Sequence, residues 1–449
     1  MNTKSMSKLL ISGKKKSEIT GSDSEIVRPQ KVLLASGLEA LLVPLKETQT
    51  VTVLILVRAG SEYEKKEQNG ISHFLEHMCF KGTAKRPSSK EITTLMDGLG
   101  ADFNAFTSQE HTGYYIKTDH RHLEMALDVI SDIYLNSLFK EEDVEKEKGV
   151  VIEEMNLDED TPTSQIYDIF LKLLYGDQPA GWRILGEKEI IKKIKRPEIL
   201  NYIKNRYTAK QTLIVVSGNF HSARVVSRLK TLFQGINWQA SPPKLKTKES
   251  QNQPRVAIKT KKTDQAHLIL GTRAFSKFDD RRYTLAALAA VLGQGMSSRL
   301  FQKIREEMGA AYYVYSITDL GSDHGFFGIA TGVTLNKIKD VLGIINSEFK
   351  KITVEPPSES ELKKSKDYIK GKMTLGLESS DEYAFFYGLQ QLYYKKPFSL
   401  NDIFRKIDAV NSRMVQNLAR ELFRPKNINL AVLGPFKKED ELHFKKLLK

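Results

Sequence analysis

Two histidines and a glutamate within five residues, His73-Phe-Leu-Glu76-His77, are the part of this 449-residue chain best suited to chemistry. On a helix, residues four apart share a face, so His73 and His77 can grip one metal ion. Glu76 sits one turn on from His73, where it can reach a water held by that ion and act as general base. With 9 histidines in the chain, this spacing is expected by chance on the order of 0.01 times per chain. The competing reading is a pair of buried, hydrogen-bonded histidines.

A catalytic zinc usually has three protein ligands and one open position. The acidic run EEDVEKEKGVVIEEMNL, residues 141–157, offers the third ligand. At roughly 100° per residue, Val144, Val151 and Met155 form one apolar stripe. Glu147 and Glu154, seven apart, fall about 20° from one another on that side, whereas Glu153 points away with Lys146. Carboxylates facing a core are costly unless paired or bound to a cation. Glu154 is therefore expected as the third ligand, and Glu147 as the acceptor that orients a ligating histidine. The alternative is an acidic helix face that is merely solvated. Cys79, the one cysteine, is expected to pack, because a fourth protein ligand would close the site.

The elements that must position these groups fall into two halves. Residues 238–254, WQASPPKLKTKESQNQP, are polar, proline-containing and without periodicity, and read as a linker. Before them, period predicts a buried strand at 51–57, a helix from Ile71, and a further helix at 90–99. Strands at 103–107 and 114–117 follow, then helices at 120–135, 141–157, 164–174 and 197–207, a strand at 212–216 and a helix from His221. After the linker the outline repeats: strands at 255–259 and 267–272, helices at 281–292 and 297–308, strands at 312–318 and 325–330, then further helices. Gly309 is placed to stop the second of those helices.

A direct match supports duplication. Tyr207-Thr-Ala-Lys210 runs through Leu-Ile-Val-Val to Gly218-Asn-Phe220, and Phe423-Arg-Pro-Lys426 runs through Leu-Ala-Val-Leu to Gly434-Pro-Phe436. The expected fold class is α+β: two homologous domains, each a mostly antiparallel sheet packed with helices. The boundaries are a basic tail at 1–29, a zinc-binding domain at 30–237, the linker at 238–254, and a second domain at 255–449. The second domain's matching helix, Tyr283-Thr-Leu-Ala-Ala-Leu-Ala-Ala-Val, holds neither His nor Glu, so one Zn2+ per chain is expected.

Composition bounds the class. Hydrophobic residues are 40% and charged residues 28%, as in globular proteins, and no apolar run approaches the 18 or so residues of a membrane span. The net charge of +14 is spread over helices, as at Lys188, Lys192, Lys193 and Lys195, without stacking aromatics or a phosphate loop. Nucleic acid is not an expected partner. The basic N-terminus has too short an apolar cluster for a secretory signal and no arginine before Arg28, so a cytoplasmic location is expected over the mitochondrial matrix. A single cysteine fits a reducing compartment.

The stretches GISHFLEHMCFKGTAKR, residues 70–86, and EKEKGVVIEEMNLDEDTP, residues 145–162, resemble the inverted-zincin peptidases of the pitrilysin, insulysin and mitochondrial processing peptidase family. The resemblance runs from about Gln30 to near the C-terminus. It implies zinc held by His73, His77 and Glu154, with Glu147 in support, in agreement with the helical-face argument. Two further stretches match. Asp102-Phe-Asn104-Ala105-Phe-Thr-Ser resembles the edge strand that pairs with substrate backbone, which implies substrate binding at Asn104 and Ala105. The segment from Met296 through Arg305 to Tyr312 resembles the family's Arg/Tyr element, which holds substrate and meets the oxyanion. Met308 and Ala310 depart from the basic residue and leucine more usual there. Without the resemblance these residues read as an ordinary strand, a surface charge and a strand aromatic.

What the resemblance implies is a zinc metalloendopeptidase acting on peptides or unfolded segments. Members of this length commonly pair as a homodimer clamshell with composite active sites. A catalytically inactive core-type subunit, or a chaperone-like peptide-binding relative, is the alternative. The presence of all four motif residues and both members of the Arg/Tyr pair argues against it.

Overall fold

The computed structural model describes residues 27–34 and 37–448. The expected basic tail falls outside them apart from residues 27–29.

The first sheet has six strands: β1 (Gln30–Leu33), β2 (Glu39–Pro44), β3 (Thr50–Val57), β4 (Asp102–Thr107), β5 (Thr112–Asp119) and β6 (Thr212–Gly218), in the order β1-β2-β6-β3-β5-β4. Only β2 and β6 pair in parallel. The second sheet contains β7 (Arg255–Thr260), β8 (Gln265–Ala274), β9 (Ala311–Leu320), β10 (Gly325–Thr334) and β11 (Asn429–Gly434), in the order β7-β11-β8-β10-β9. Again one pair, β7 and β11, is parallel and the rest are antiparallel. Strand for strand, β7, β11, β8, β10 and β9 repeat β2, β6, β3, β5 and β4. The sequence match of 207–220 with 423–436 thus falls on equivalent strands, β6 and β11. The protein is α+β, with two domains of one fold.

The helices that matter for the site are α1 (Ile71–Met78), α2 (Ser89–Gly98), α3 (Leu123–Leu135), α4 (Glu141–Asp160) and α5 (Pro162–Tyr175). From Val53 to Val57, β3 reads as an unbroken apolar run because both of its faces are covered. Val51, Val53, Ile55 and Val57 pack into one core with Ile71, Phe74, Leu75 and Met78 of α1. Leu54 and Leu56 face the other way, onto Ala384, Tyr387 and Leu392 of the helix Ser380–Tyr394, which comes from the second half of the chain. A Cβ on Gly388 would lie 3.0 Å from Val215 and 3.1 Å from Leu56, so this helix sits close on the sheet.

The exchange is mutual. α5, from the first half, places Ile166, Phe170 and Leu174 against Ile269, Phe326, Ala431 and Leu433 of the second sheet. Each half therefore lends a helix to the outer face of the other's sheet. The connecting segment also binds rather than merely links. Lys244 is paired with Glu62, with Glu110 at 3.2 Å and with Asp323 at 2.7 Å, joining both halves. Its ammonium is the cation of the cluster formed by Glu62, Asp323 and His324.

Strands β1 and β2 were not among the expected elements. The apolar part of β2 is only Ala40-Leu-Leu-Val43 and lacks alternation, because it too is covered on both faces. The helix expected at 297–308 is helical over 299–307, and from Phe301 to Glu307 it is wound with wide π-type turns before Gly309 at φ +58° ends it.

Candidate metal centre

α1 is short, and its first turn is fixed by a group outside it. Glu64 accepts hydrogen bonds from the backbone N–H of Gly70 and of Ser72, both at 2.8 Å, and from Asn69 Nδ2 at 2.9 Å. A carboxylate at a helix N-terminus satisfies orphan donors and complements the helix dipole. Burial pushes this carboxyl up to about 7, against the pull of those donors. Gly70 stands at φ +99°, and a Cβ there would come within 2.7 Å of Leu185 O, so the entry to α1 requires glycine.

One turn further on, the His73 and His77 rings lie 4.7 Å apart. α1 packs on α4, and Glu154 of α4 places Oε2 3.5 Å from His73 Nε2 and 3.4 Å from His77 Nε2. These atoms lie within 4.8 Å of one another, and Glu154 Oε2 is buried without a hydrogen-bond partner. The separations are long for hydrogen bonds. Tetrahedral zinc with N and O ligands at 2.0–2.1 Å would set its ligand atoms about 3.3 Å apart. The donor set and its spacing fit a zinc ion.

Glu147, one face of α4 shared with Glu154, accepts from His77 Nδ1 at 2.9 Å and is ion-paired with Lys81. It is 3% exposed, while Glu153 is exposed to solvent, as the helical register requires. Burial opposes protonation of His77, but the carboxylates of Glu147 and Glu154 outweigh it and raise the ring to about 9 in the metal-free protein. The facing imidazoles of His73 and His77 hold the Glu154 carboxyl far below the usual range. The bond from His77 to Glu147 leaves Nε2 facing Glu154, where it could hold a metal. His73 Nδ1 has no partner among the described residues.

Glu76 opens onto a cleft of about 710 Å3 that also contains His73, Glu154 and Ala105. Its Oε2 accepts a hydrogen bond from Thr107 Oγ1 at 2.6 Å. β4 is the edge of its sheet, so Asn104 and Ala105 lie on a strand with one unpaired side. Asn104 is exposed, and its Oδ1 accepts from the Ala105 N–H at 2.9 Å. The far wall holds Leu157, Tyr167, Trp182 and Arg183. Arg183 is tied to Asp158 at 2.6 Å and to Asp168 at 2.8 Å.

Arg305 and Tyr312 are not brought into this cleft. They stand together on the second domain, with the Arg305 guanidinium 6.0 Å from the Tyr312 ring centre. Tyr312 is 76% exposed at the start of β9, the edge strand that repeats β4. Cys79 is buried beside Tyr114, and burial pushes its thiol up to about 12, which suits packing rather than ligation. Sequence reasoning missed Glu64, Lys81, Thr107 and the cleft wall. The signal for Lys81 was the basic residue four positions after His77, just beyond α1.

Comparison with known proteins settles the relationship. Residues 41–188 match the family described as insulinase (peptidase family M16), and residues 193–369 match the family's inactive domain. An uncharacterized zinc protease of Bacillus subtilis is 35% identical over 387 residues, covering 86% of this chain and 93% of that one. The chain belongs to peptidase family M16. A second relative, an uncharacterized zinc protease of Streptomyces coelicolor, is 32% identical, covering 91% of this chain and 90% of that one. The fold agrees with a solved protease from Helicobacter pylori at a TM-score of 0.85 and 24% identity, covering 91% of this chain and all of that one. An M16 inactive domain from Pseudomonas fluorescens gives 0.84 at 18% identity, covering 92% and 99%. The inactive-domain match spans the helix Arg282–Gly293, where the H-x-x-E-H motif has no counterpart. No described helix is long and apolar enough to cross a membrane.

Proposed function

We propose that this M16 chain is a zinc-dependent endopeptidase that hydrolyses peptides or unfolded segments. One observation carries the reading: Glu154 Oε2 is buried without a hydrogen bond, 3.4–3.5 Å from two imidazole nitrogens, beside an open cleft that the Glu76 carboxylate also lines. His73, His77 and Glu154 would hold one zinc per chain. Bound there, zinc supplies Lewis acidity that lowers the pKa of a water to about 7.

The chain's own residues do the rest. Glu76 accepts the proton of the attacking water and returns a proton to the leaving amine. Glu147, held by Lys81, fixes the His77 ring through Nδ1. The free side of β4, at Asn104 and Ala105, receives the substrate as an added strand. Arg305 and Tyr312 meet the charge on the carbonyl oxygen. Their absence from the cleft of their own chain favours a homodimer in which each site takes this pair from its partner, closing a clamshell over the substrate.

The two domains are 30–237 and 255–449, and the single cysteine fits a reducing compartment, the cytoplasm. Metal analysis together with cleavage of a quenched peptide tests the function. About one zinc per chain, and activity lost to a chelator and restored by zinc, is the expected result. A zinc-loaded protein that cleaves nothing in a mixed peptide library would contradict it.

A further inference from the structure

Glu76 takes its hydrogen-bond partner from β4 rather than from α1 or α4. Its Oε2 accepts the Thr107 hydroxyl at 2.6 Å. The hydroxyl donates in this bond, and the other carboxyl oxygen, Oε1, is left for a further partner. Thr107 is the last residue of β4, and its branched Cβ restricts the hydroxyl to few rotamers. The glutamate, half-buried at the cleft wall, has three rotatable bonds and would otherwise sample several positions. The same strand carries Asn104 and Ala105 on its free edge, and both Thr107 and Ala105 line the cleft with Glu76.

We propose that Thr107 is a positioning residue. It ties the general base to the strand on which substrate docks, so that base and scissile bond keep one register. The inference rests on the reading of Glu76 as base. Its physical basis is that small displacements of a reacting group, of the order of 1 Å, can cost about a hundredfold in rate. A hydrogen bond from a rigid strand to a flexible carboxylate prevents such a displacement without touching the substrate.

The test compares Thr107→Val and Thr107→Ala, which both lack the donor, with Thr107→Ser, which keeps it. With a quenched peptide, the first two should lose about tenfold to a hundredfold in kcat with KM within about twofold of wild type. Thr107→Ser should recover to within about threefold. Zinc content should stay at one per chain in all three. In the Glu76→Gln background, adding Thr107→Val should leave peptide affinity, measured by titration, unchanged. If Thr107→Val does not fold, as judged by circular dichroism, Thr107→Ala carries the comparison. Unchanged kcat in both donor-free variants, a change confined to KM, or a serine variant no better than valine would overturn the inference. Failure of the underlying reading is distinguishable: the zinc-loaded wild type would then be inactive, or Glu76→Gln active, before any Thr107 variant is measured.

Discussion

Phe170 packs edge-on against Phe326 with ring centres 5.3 Å apart, although the two lie in opposite halves of the chain. The contact belongs to one side of the helix exchange, in which α5 covers the second sheet and the helix Ser380–Tyr394 covers the first. Two domains of one fold are thus bound by more than the segment between them.

Truncating this contact should destabilise the whole chain. Phe170 is fully buried, and Phe170→Ala should cost about 3–5 kcal/mol. A single cooperative unfolding transition at lower temperature is expected. If the variant melted in two steps, with the first domain unaffected, the domains would be independent. Likewise, 30–237 and 255–449 expressed apart should each aggregate through an uncovered sheet face, and recover when produced together.

The metal ligands should be separable by parallel substitution on α4. Glu154→Gln should weaken zinc affinity on the order of a hundredfold or more, because one of three ligands is lost. Glu153→Gln should leave it unchanged, since that residue faces solvent. Competition with a chelator measures both. Loss of zinc from the Glu153 variant alone would put the ligand on the wrong residue.

These assignments show what was legible in the sequence. His73, Glu76 and His77 lie on one short helix, so spacing alone places them together. Glu147 and Glu154 were separable from Glu153 because a helix converts sequence distance into a face. The duplication was visible in the match of β6 with β11. What could not be read depends on contacts between distant segments. The apolar stripes of α5 and of the helix Ser380–Tyr394 are plain enough, but nothing local says that each covers the other half's sheet. Glu64 caps α1 from outside the helix, and Thr107 reaches Glu76 from a strand thirty-one residues on. Trp182 and Arg183 reach the cleft from a connection without periodicity.

Zinc binding should depend on pH through His77. In the metal-free protein its proton is held up to about 9 by Glu147 and Glu154, against burial. The ion must displace that proton, so apparent affinity should rise about tenfold per pH unit from 7 to 9 and then level off. The linked effect on the metal-free fold has the opposite sense. A ring raised from 6.5 to about 9 contributes stability that is complete below pH 6.5 and lost as pH rises through about 9. Chelator competition and thermal melts of metal-free protein between pH 6 and 10 check both. An affinity flat across that range would remove His77 from the site.

The composite site makes a counting prediction. Glu76→Gln and Arg305→Ala chains should each be inactive or nearly so alone. In a mixed dimer with shared sites, one site carries both defects and the other carries neither. Random exchange makes half the dimers mixed, so roughly a quarter of wild-type sites should reappear. No recovery, after subunit exchange had been verified, would mean that each site is built within one chain.

The central claim is that Glu76 works beside the metal without holding it. The most direct measurement is therefore zinc content and peptide cleavage on the same preparation of Glu76→Gln. About one zinc per chain with cleavage abolished is the predicted result, because His73, His77 and Glu154 are untouched while the proton acceptor is gone. Substantial turnover, or loss of the metal along with the activity, would contradict it.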